Sequence, residues 1–232
     1  MNRRGQHLAF RILLFLASFI LYNLIDSIPV IAEVSHKILQ PWQLELLALS
    51  SIFALLLFYL WSVKVASLCR HGPMDNTWQS RKLPVDKQWV LILLVMVVIF
   101  GLYSNLEGWI YGQMGRSTTT NQAYLEEALQ ATPFLGWWYV DTIIVAPVLE
   151  ELIFRKIWMT LFFQKDTRQD HILACLISGV IFGLMHVDYI GLEFVLYSLS
   201  GILFAVFYRL SGDIRLPIMV HIMNNFLASL TV

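Results

Sequence analysis

Charge is scarce in this chain. Asp, Glu, Lys and Arg make up only 14% of its 232 residues, where a soluble domain carries about 25%. Sixteen basic residues offset sixteen acidic ones. No surplus of positive charge is left to neutralise phosphates, and neither a basic stripe nor a zinc finger is present, so nucleic acid is not an expected partner. Cysteine is nearly absent as well. Cys69 stands at the end of one apolar run and Cys175 inside another, which gives no disulfide framework and no C-x-x-C site. Internal repeats and low-complexity tracts are also missing. What is abundant is apolar: 58% of the residues are hydrophobic, against about 45–50% in soluble proteins. That composition argues against a soluble globule and against disorder.

A membrane helix needs about 20 mainly apolar residues to cross about 30 Å of hydrocarbon. Runs at approximately 8–25, 44–68, 88–106, 134–163, 171–187, 189–210 and 216–232 meet that need. The expected fold is therefore all-α, a polytopic membrane helical bundle of about seven transmembrane helices, six to eight. The fourth run, some 30 residues long, would reach about 45 Å as a straight helix. It is expected to tilt, protrude or break, with Pro147 offering the break, because proline lacks an N–H and crowds the carbonyl four residues back. The polar stretch 116–131 is expected to be an external loop with a short interfacial helix.

Orientation follows from where Lys and Arg fall outside the spans. Arg3, Arg4 and Arg11 at the N-terminus, Lys64, Arg70, Arg81, Lys82 and Lys87 around the second connection, Lys156, Lys165 and Arg168 around the fourth, and Arg209 and Arg215 at the sixth share one side. Only Lys37 and Arg116 fall on the other. The crowded side is expected to be cytoplasmic, placing the N-terminus inside and, with seven spans, the C-terminus outside. Arg3 and Arg4 before an apolar core, with Val30-Ile31-Ala32 beyond, also outline a signal peptide. The retained span is preferred, since the charge alternation works with it in place.

An ionisable side chain in hydrocarbon costs at least about 2.5–3.5 kcal/mol, so each one inside a span asks for a reason. Three groups do so here. In Glu150-Glu151-x-x-x-Arg155, Glu151 and Arg155 are four apart and can pair on one helix face. Glu150 is turned about 100° away and has Phe154 rather than a base four residues on. Burial of a carboxyl favours its neutral form, and a base of that kind works near neutrality. In the second group, Phe182 and His186 share a face, and Gly179 and Gly183 leave room for a neighbouring helix to approach closely. In the third, His221 and Asn225 project from one face as two hydrogen-bonding groups.

Each group has a structural explanation when taken alone: an ion pair between helices, an interfacial histidine, interhelical hydrogen bonds. Together they are expected to share a cavity. Peptide hydrolysis needs an activated water and donors for the oxyanion. Glu150 can take the proton from water, His186 can hold that water, and His221 with Asn225 can donate to the oxyanion, while Glu151 and Arg155 fix the geometry. No Ser or Cys stands in an obvious nucleophile motif, and H-E-x-x-H is absent. Counting from the cytoplasmic ends puts Glu150 about 20 Å deep, His186 about 22 Å and His221 about 9 Å. A tilt, a break at Pro147 or a seventh helix beginning lower, near Arg215, is expected to close that difference.

The ordered set Glu150-Glu151-x-x-x-Arg155, Phe182-x-x-x-His186 and His221-x-x-x-Asn225 resembles the signature of the CAAX protease and bacteriocin-processing family (CPBP, or Abi) of intramembrane endopeptidases, related to the type II CAAX prenyl endopeptidases. The resemblance implies catalytic roles for Glu150, His186, His221 and Asn225, with Glu151, Arg155 and Phe182 in support. It divides the chain into N-terminal transmembrane helices and loops at 1–132 and a catalytic helical core at 133–232, integrated in one membrane domain. Family members are described both as metalloproteases and as metal-free glutamate-type enzymes. The metal-free version is favoured here; a divalent metal such as zinc would be held by Glu150, His186 and His221. The implied partners are a peptide or protein substrate at the membrane and the lipid bilayer, and the implied roles include peptide maturation and bacteriocin self-immunity. The alternative is a non-hydrolytic membrane protein, either a transporter or proton relay or a toxin-binding immunity protein.

Overall fold

The computed structural model describes residues 3–35, 38–69, 82–116, 119–131 and 135–230. The ordered elements among them are helices: α1 (Arg3–Ser35), α2 (Pro41–Cys69), α3 (Lys87–Gln113), α4 (Thr120–Ala131), α5 (Leu135–Val140), a π segment (Asp141–Val145), α6 (Ala146–Glu151), a second π segment (Leu152–Ile157), α7 (Trp158–Phe162), α8 (Arg168–Met185), α9 (Leu192–Ser211) and α10 (Arg215–Ser229). The fold is all-α. Five of these helices are long and apolar enough to cross a membrane: Leu8–Ala32 within α1, Pro41–Leu68 within α2, and α3, α8 and α9. Their outward faces are apolar. Leu13 and Leu24 on α1, Phe53 on α2, and Leu91, Val98 and Leu102 on α3 are all more than half exposed, a pattern that lipid covers and water does not. The chain is a multi-pass membrane protein.

One compact unit contains α1, α2 and the helical stretch from α5 to α7. Trp61 of α2 donates from Nε1 to Ser18 Oγ at 2.8 Å, and the Ser18 hydroxyl donates to the Leu14 carbonyl at 2.7 Å. A buried serine thus ties two apolar helices without leaving an orphaned indole N–H. Arg11 of α1 donates from Nη1 to the Leu161 carbonyl at 3.1 Å and from Nη2 to Gln164 Oε1 at 3.0 Å, which caps the C-terminal end of α7 with a cation, the sign that helix ends favour. Phe15 meets the Trp158 ring edge-on at 5.2 Å, and Tyr22 meets Phe154 at 5.7 Å. The first span is thereby packed along its length against the stretch that carries Glu150.

That stretch does not break at Pro147. It stays helical from residue 135 to 162, with a π segment ahead of α6 and another behind it. Pro147 stands inside this continuous run, directly after the first π segment, so the carbonyl four residues back that its ring would crowd belongs to a widened turn. Just before it the Ala146 N–H reaches back five residues to the Asp141 carbonyl. The excess length is thus taken up by wider winding, which packs more residues into each turn.

The other unit contains α3, α4, α9, α10 and α8 from His171 onward. Asp86 caps α3, accepting from the Trp89 N–H at 2.9 Å. Helices α8 and α9 cross with almost no side chain between them. A Cβ on Gly201 would lie 2.9 Å from Gly179 Cα, and one on Gly179 would lie 2.6 Å from the Ser198 carbonyl. The small residues at 179 and 183 serve the close approach that their spacing suggested.

The turn from α9 to α10 decides where His221 begins its helix. Gly212 ends α9 at φ 69°, a left-handed conformation that glycine adopts without a Cβ penalty. Asp213 then accepts from the Arg215 N–H at 3.1 Å, Arg215 Nε at 2.9 Å, the Leu83 N–H at 3.1 Å and Trp89 Nε1 at 3.4 Å. Burial alone would raise the Asp213 carboxyl, but the hydrogen bonds from Arg215 and Leu83 and the Arg215 charge outweigh it and hold the group below its ordinary 3.8. A carboxyl lowered in this way stabilises the fold above its unfolded pKa and loses that contribution as pH falls through the folded value. Asp213→Asn should therefore cost about 1 kcal/mol at neutral pH, less than the roughly 1.5–3 kcal/mol of a buried charged hydrogen bond, because Arg215 is 32% exposed and water screens it. Thermal unfolding in detergent checks this: the gap between the two proteins should close as pH drops below 3.8.

Several span limits move. The second half of the chain was expected to cross at 171–187 and 189–210, whereas α8 ends at Met185 and α9 starts at Leu192. The seventh run forms the 15-residue α10, beginning at Arg215; the short helix expected within 116–131 is present as α4. Phe134 and Val232, the division at 132/133, and the cations Lys37, Arg70 and Arg81 lie outside the described residues.

Candidate active site

The first motif lies on α6 and the second π segment. From Leu149 to Ile157 every residue is buried: Glu151 and Arg155 have 0% exposure and Glu150 has 9%. Arg155 Nη1 sits 3.1 Å from Glu151 Oε1, so the pair anticipated from the four-residue spacing forms. Two opposite charges in so dry a place compensate one another's lost hydration, and neither is tolerable alone. Glu150 occupies the neighbouring position on the same turn of α6. Lys156, also buried, rests its ammonium 4.7 Å from the centre of the Tyr59 ring, the kind of contact that shields a cation from hydrocarbon.

The second and third motifs meet within the other unit. His186 lies one residue past the end of α8, its N–H bonded to the Gly183 carbonyl at 3.2 Å. Its ring stacks on Phe182 at 4.2 Å, and Nδ1 is 2.7 Å from the Phe182 carbonyl oxygen. A carbonyl only accepts, so Nδ1 carries the hydrogen and the lone pair of the neutral ring resides on Nε2. His221 of α10 stacks on Phe204 at 4.4 Å and meets Phe182 edge-on at 5.9 Å. Phe182 thus touches both imidazoles. One turn further along α10, Asn225 Oδ1 accepts from Asn224 Nδ2 at 3.3 Å, while Asn224 Oδ1 accepts from the Ser104 hydroxyl of α3 at 3.3 Å.

The structure therefore brings Phe182, His186 and His221 together in one unit and pairs Glu151 with Arg155 in the other. Asn225 stands beside the same helix face as His221 and is engaged by Asn224. Local spacing gave no sign of Phe204, Tyr197 or Ser104, which come from other helices. Asn224 was visible only as the neighbour of Asn225. Within either unit the described residues place no three His, Cys, Asp or Glu side chains so as to hold a metal ion.

Residues 132–227 match the family model described as type II CAAX prenyl endopeptidase Rce1-like. The chain is 28% identical over 207 residues to "Putative membrane peptidase YdiL" of Bacillus subtilis (strain 168), covering 88% of this chain and 81% of that one. It is 28% identical over 142 residues to "Membrane-embedded CAAX protease MroQ" of Staphylococcus aureus (strain USA300), covering 59% of this chain and 54% of that one. No solved structure matches. All three motifs fall inside the matched segment, and over residues 132–227 the chain is similar to the Rce1-like type II CAAX prenyl endopeptidases.

Proposed function

We propose that this protein is an intramembrane endopeptidase that hydrolyses a peptide bond in a membrane-associated peptide or protein, using water activated by Glu150 and no bound metal. Glu150 takes a proton from water as the water oxygen attacks the scissile carbonyl carbon. His186 holds that water through Nε2. His221 and Asn225 donate to the oxygen of the tetrahedral intermediate, where fixed donors stabilise the developing charge. The proton on Glu150 then passes to the leaving nitrogen, the C–N bond breaks, and a carboxylate and an amine leave. Glu151 and Arg155 hold the turn that carries the base. The observation that carries this reading is the burial of Glu150, 9% exposed beside an acid whose charge is already met by Arg155.

The charge distribution supports a cytoplasmic N-terminus and an external C-terminus. The family resemblance supports peptide maturation or bacteriocin self-immunity as the setting. The test is cleavage of an internally quenched membrane-spanning peptide pool by the full chain in liposomes, with products identified by mass. Activity should persist after extensive dialysis against a strong zinc chelator. Loss on chelation with recovery on adding zinc would replace the metal-free mechanism with one in which Glu150, His186 and His221 hold the ion.

A further inference from the structure

His186 has an unusual support for a residue with a chemical task. It lies beyond the last turn of α8, with its main-chain N–H bonded to the Gly183 carbonyl. Its ring contacts bear directly on how the imidazole is oriented. Phe182 stacks on the imidazole at 4.2 Å with the planes 28° apart, and Tyr197 of α9 stacks on it at 4.9 Å with the planes 24° apart. Two nearly parallel rings this close to one centroid cannot share a face without overlapping. The imidazole is therefore clamped, with Phe182 on one face and Tyr197 on the other. Tyr197 is itself anchored. Its hydroxyl lies 2.9 Å from Thr119 Oγ1, and the same Thr119 oxygen accepts from the Gln122 N–H at 2.9 Å, capping α4.

We propose that Tyr197 is a positioning residue for His186: its ring closes the second face of the imidazole and holds it by packing, with the hydroxyl contact to Thr119 at the start of α4 as a secondary anchor. The clamp leaves the imidazole little freedom except rotation in its own plane, and the Nδ1 contact with the Phe182 carbonyl removes that. Nε2 then points in one direction with no ordering left to do when substrate arrives. Loss of the ring frees the imidazole to tilt, and a misplacement of about 1 Å costs as much as 100-fold in rate. The catalytic part of this inference rests on the role given to His186 above; the clamp itself does not.

The experiment uses the full chain, in liposomes for activity with the quenched peptide pool and in nanodiscs for nitrogen-15 spectra of labelled histidine, with His186 assigned by its disappearance in His186→Ala. In the wild type, His186 should show a single neutral tautomer with Nδ1 protonated. Tyr197→Leu should give a mixture of tautomers and a kcat lower by about 10- to 100-fold with KM within about twofold. Tyr197→Phe and Thr119→Val keep the ring and remove only the tether, so both should keep the single tautomer and stay within about threefold of wild-type kcat. In a His186→Ala background, Tyr197→Leu should cause no further loss. A wild-type spectrum and kcat in Tyr197→Leu would overturn the proposal, as would an equal loss with and without His186. If Tyr197→Leu does not fold, Tyr197→Phe and Tyr197→Trp decide: a ring in place should preserve the tautomer, and a mixture in both overturns the clamp. Full activity in His186→Ala would instead remove the catalytic reading of His186, while the spectra would still report on the clamp.

Discussion

Glu150→Gln should reduce peptide cleavage by about 100- to 10,000-fold, the contribution expected of a positioned general base, while leaving the protein folded. The substitution keeps the shape and volume of the side chain and its capacity to hydrogen-bond, so packing around α6 should be undisturbed. What it removes is the ability to accept a proton from water. If Glu150 acts only through substrate binding, the loss should appear in KM; if it is the base, kcat should fall and KM stay. The same variant should retain substrate it cannot cleave, which turns an inactive protein into a means of identifying what it acts on. Cleavage at the wild-type rate by a folded Glu150→Gln protein would remove Glu150 from the mechanism and with it the glutamate-type assignment. Glu151→Gln provides the contrast, since it should impair stability before chemistry.

Arg155→Met should destabilise the protein by about 3–5 kcal/mol, the cost of leaving one member of a buried ion pair without its counter-charge. Both side chains have 0% exposure and lie 3.1 Å apart, so water cannot step in for the lost guanidinium. Methionine fills most of the space, and the penalty should be electrostatic rather than a cavity effect. The double variant Glu151→Gln, Arg155→Met should recover much of the loss, because an amide needs hydrogen bonds and not a cation. Denaturant unfolding in mild detergent, run as a double-mutant cycle, measures both. A single variant within about 1 kcal/mol of the wild type would mean that the pair contributes nothing beyond an exposed one.

The helical character of the chain and its principal polar groups were readable because both obey short-range rules. A run of about 20 apolar residues makes a span wherever it lies, and residues four apart meet on a helix whatever surrounds it. Glu151 with Arg155 and Phe182 with His186 follow from that rule. Phe204 against His221 does not, nor does Tyr197 against His186, nor Ser104 of α3 behind Asn224, because each joins residues on different helices that no periodicity links. Pro147 shows a different limit. Proline predicts that an α-helix cannot continue unchanged, but it does not say whether the chain will bend, stop or widen. Here the neighbouring turns widened. Arg215 was visible merely as a cation near a span end, and Asp213 gave no signal; what makes them a lock is Leu83 and Trp89 arriving from α3 and the chain before it.

The two π segments also set an alignment. Each residue advances an α-helix by about 100°, so an extra residue absorbed in a wide turn turns everything beyond it through a large angle relative to regular winding. With Leu152–Ile157 wound this way, the faces of α7 that meet Phe15 and Arg11 are in phase with α6 only because of that surplus. Removing one residue between 152 and 157 would allow an unstrained regular helix and yet swing Trp158 away from Phe15 and the Leu161 carbonyl away from Arg11. The segment is thus a phase adjuster, in which a deletion that improves local geometry would do more harm than a substitution that worsens it.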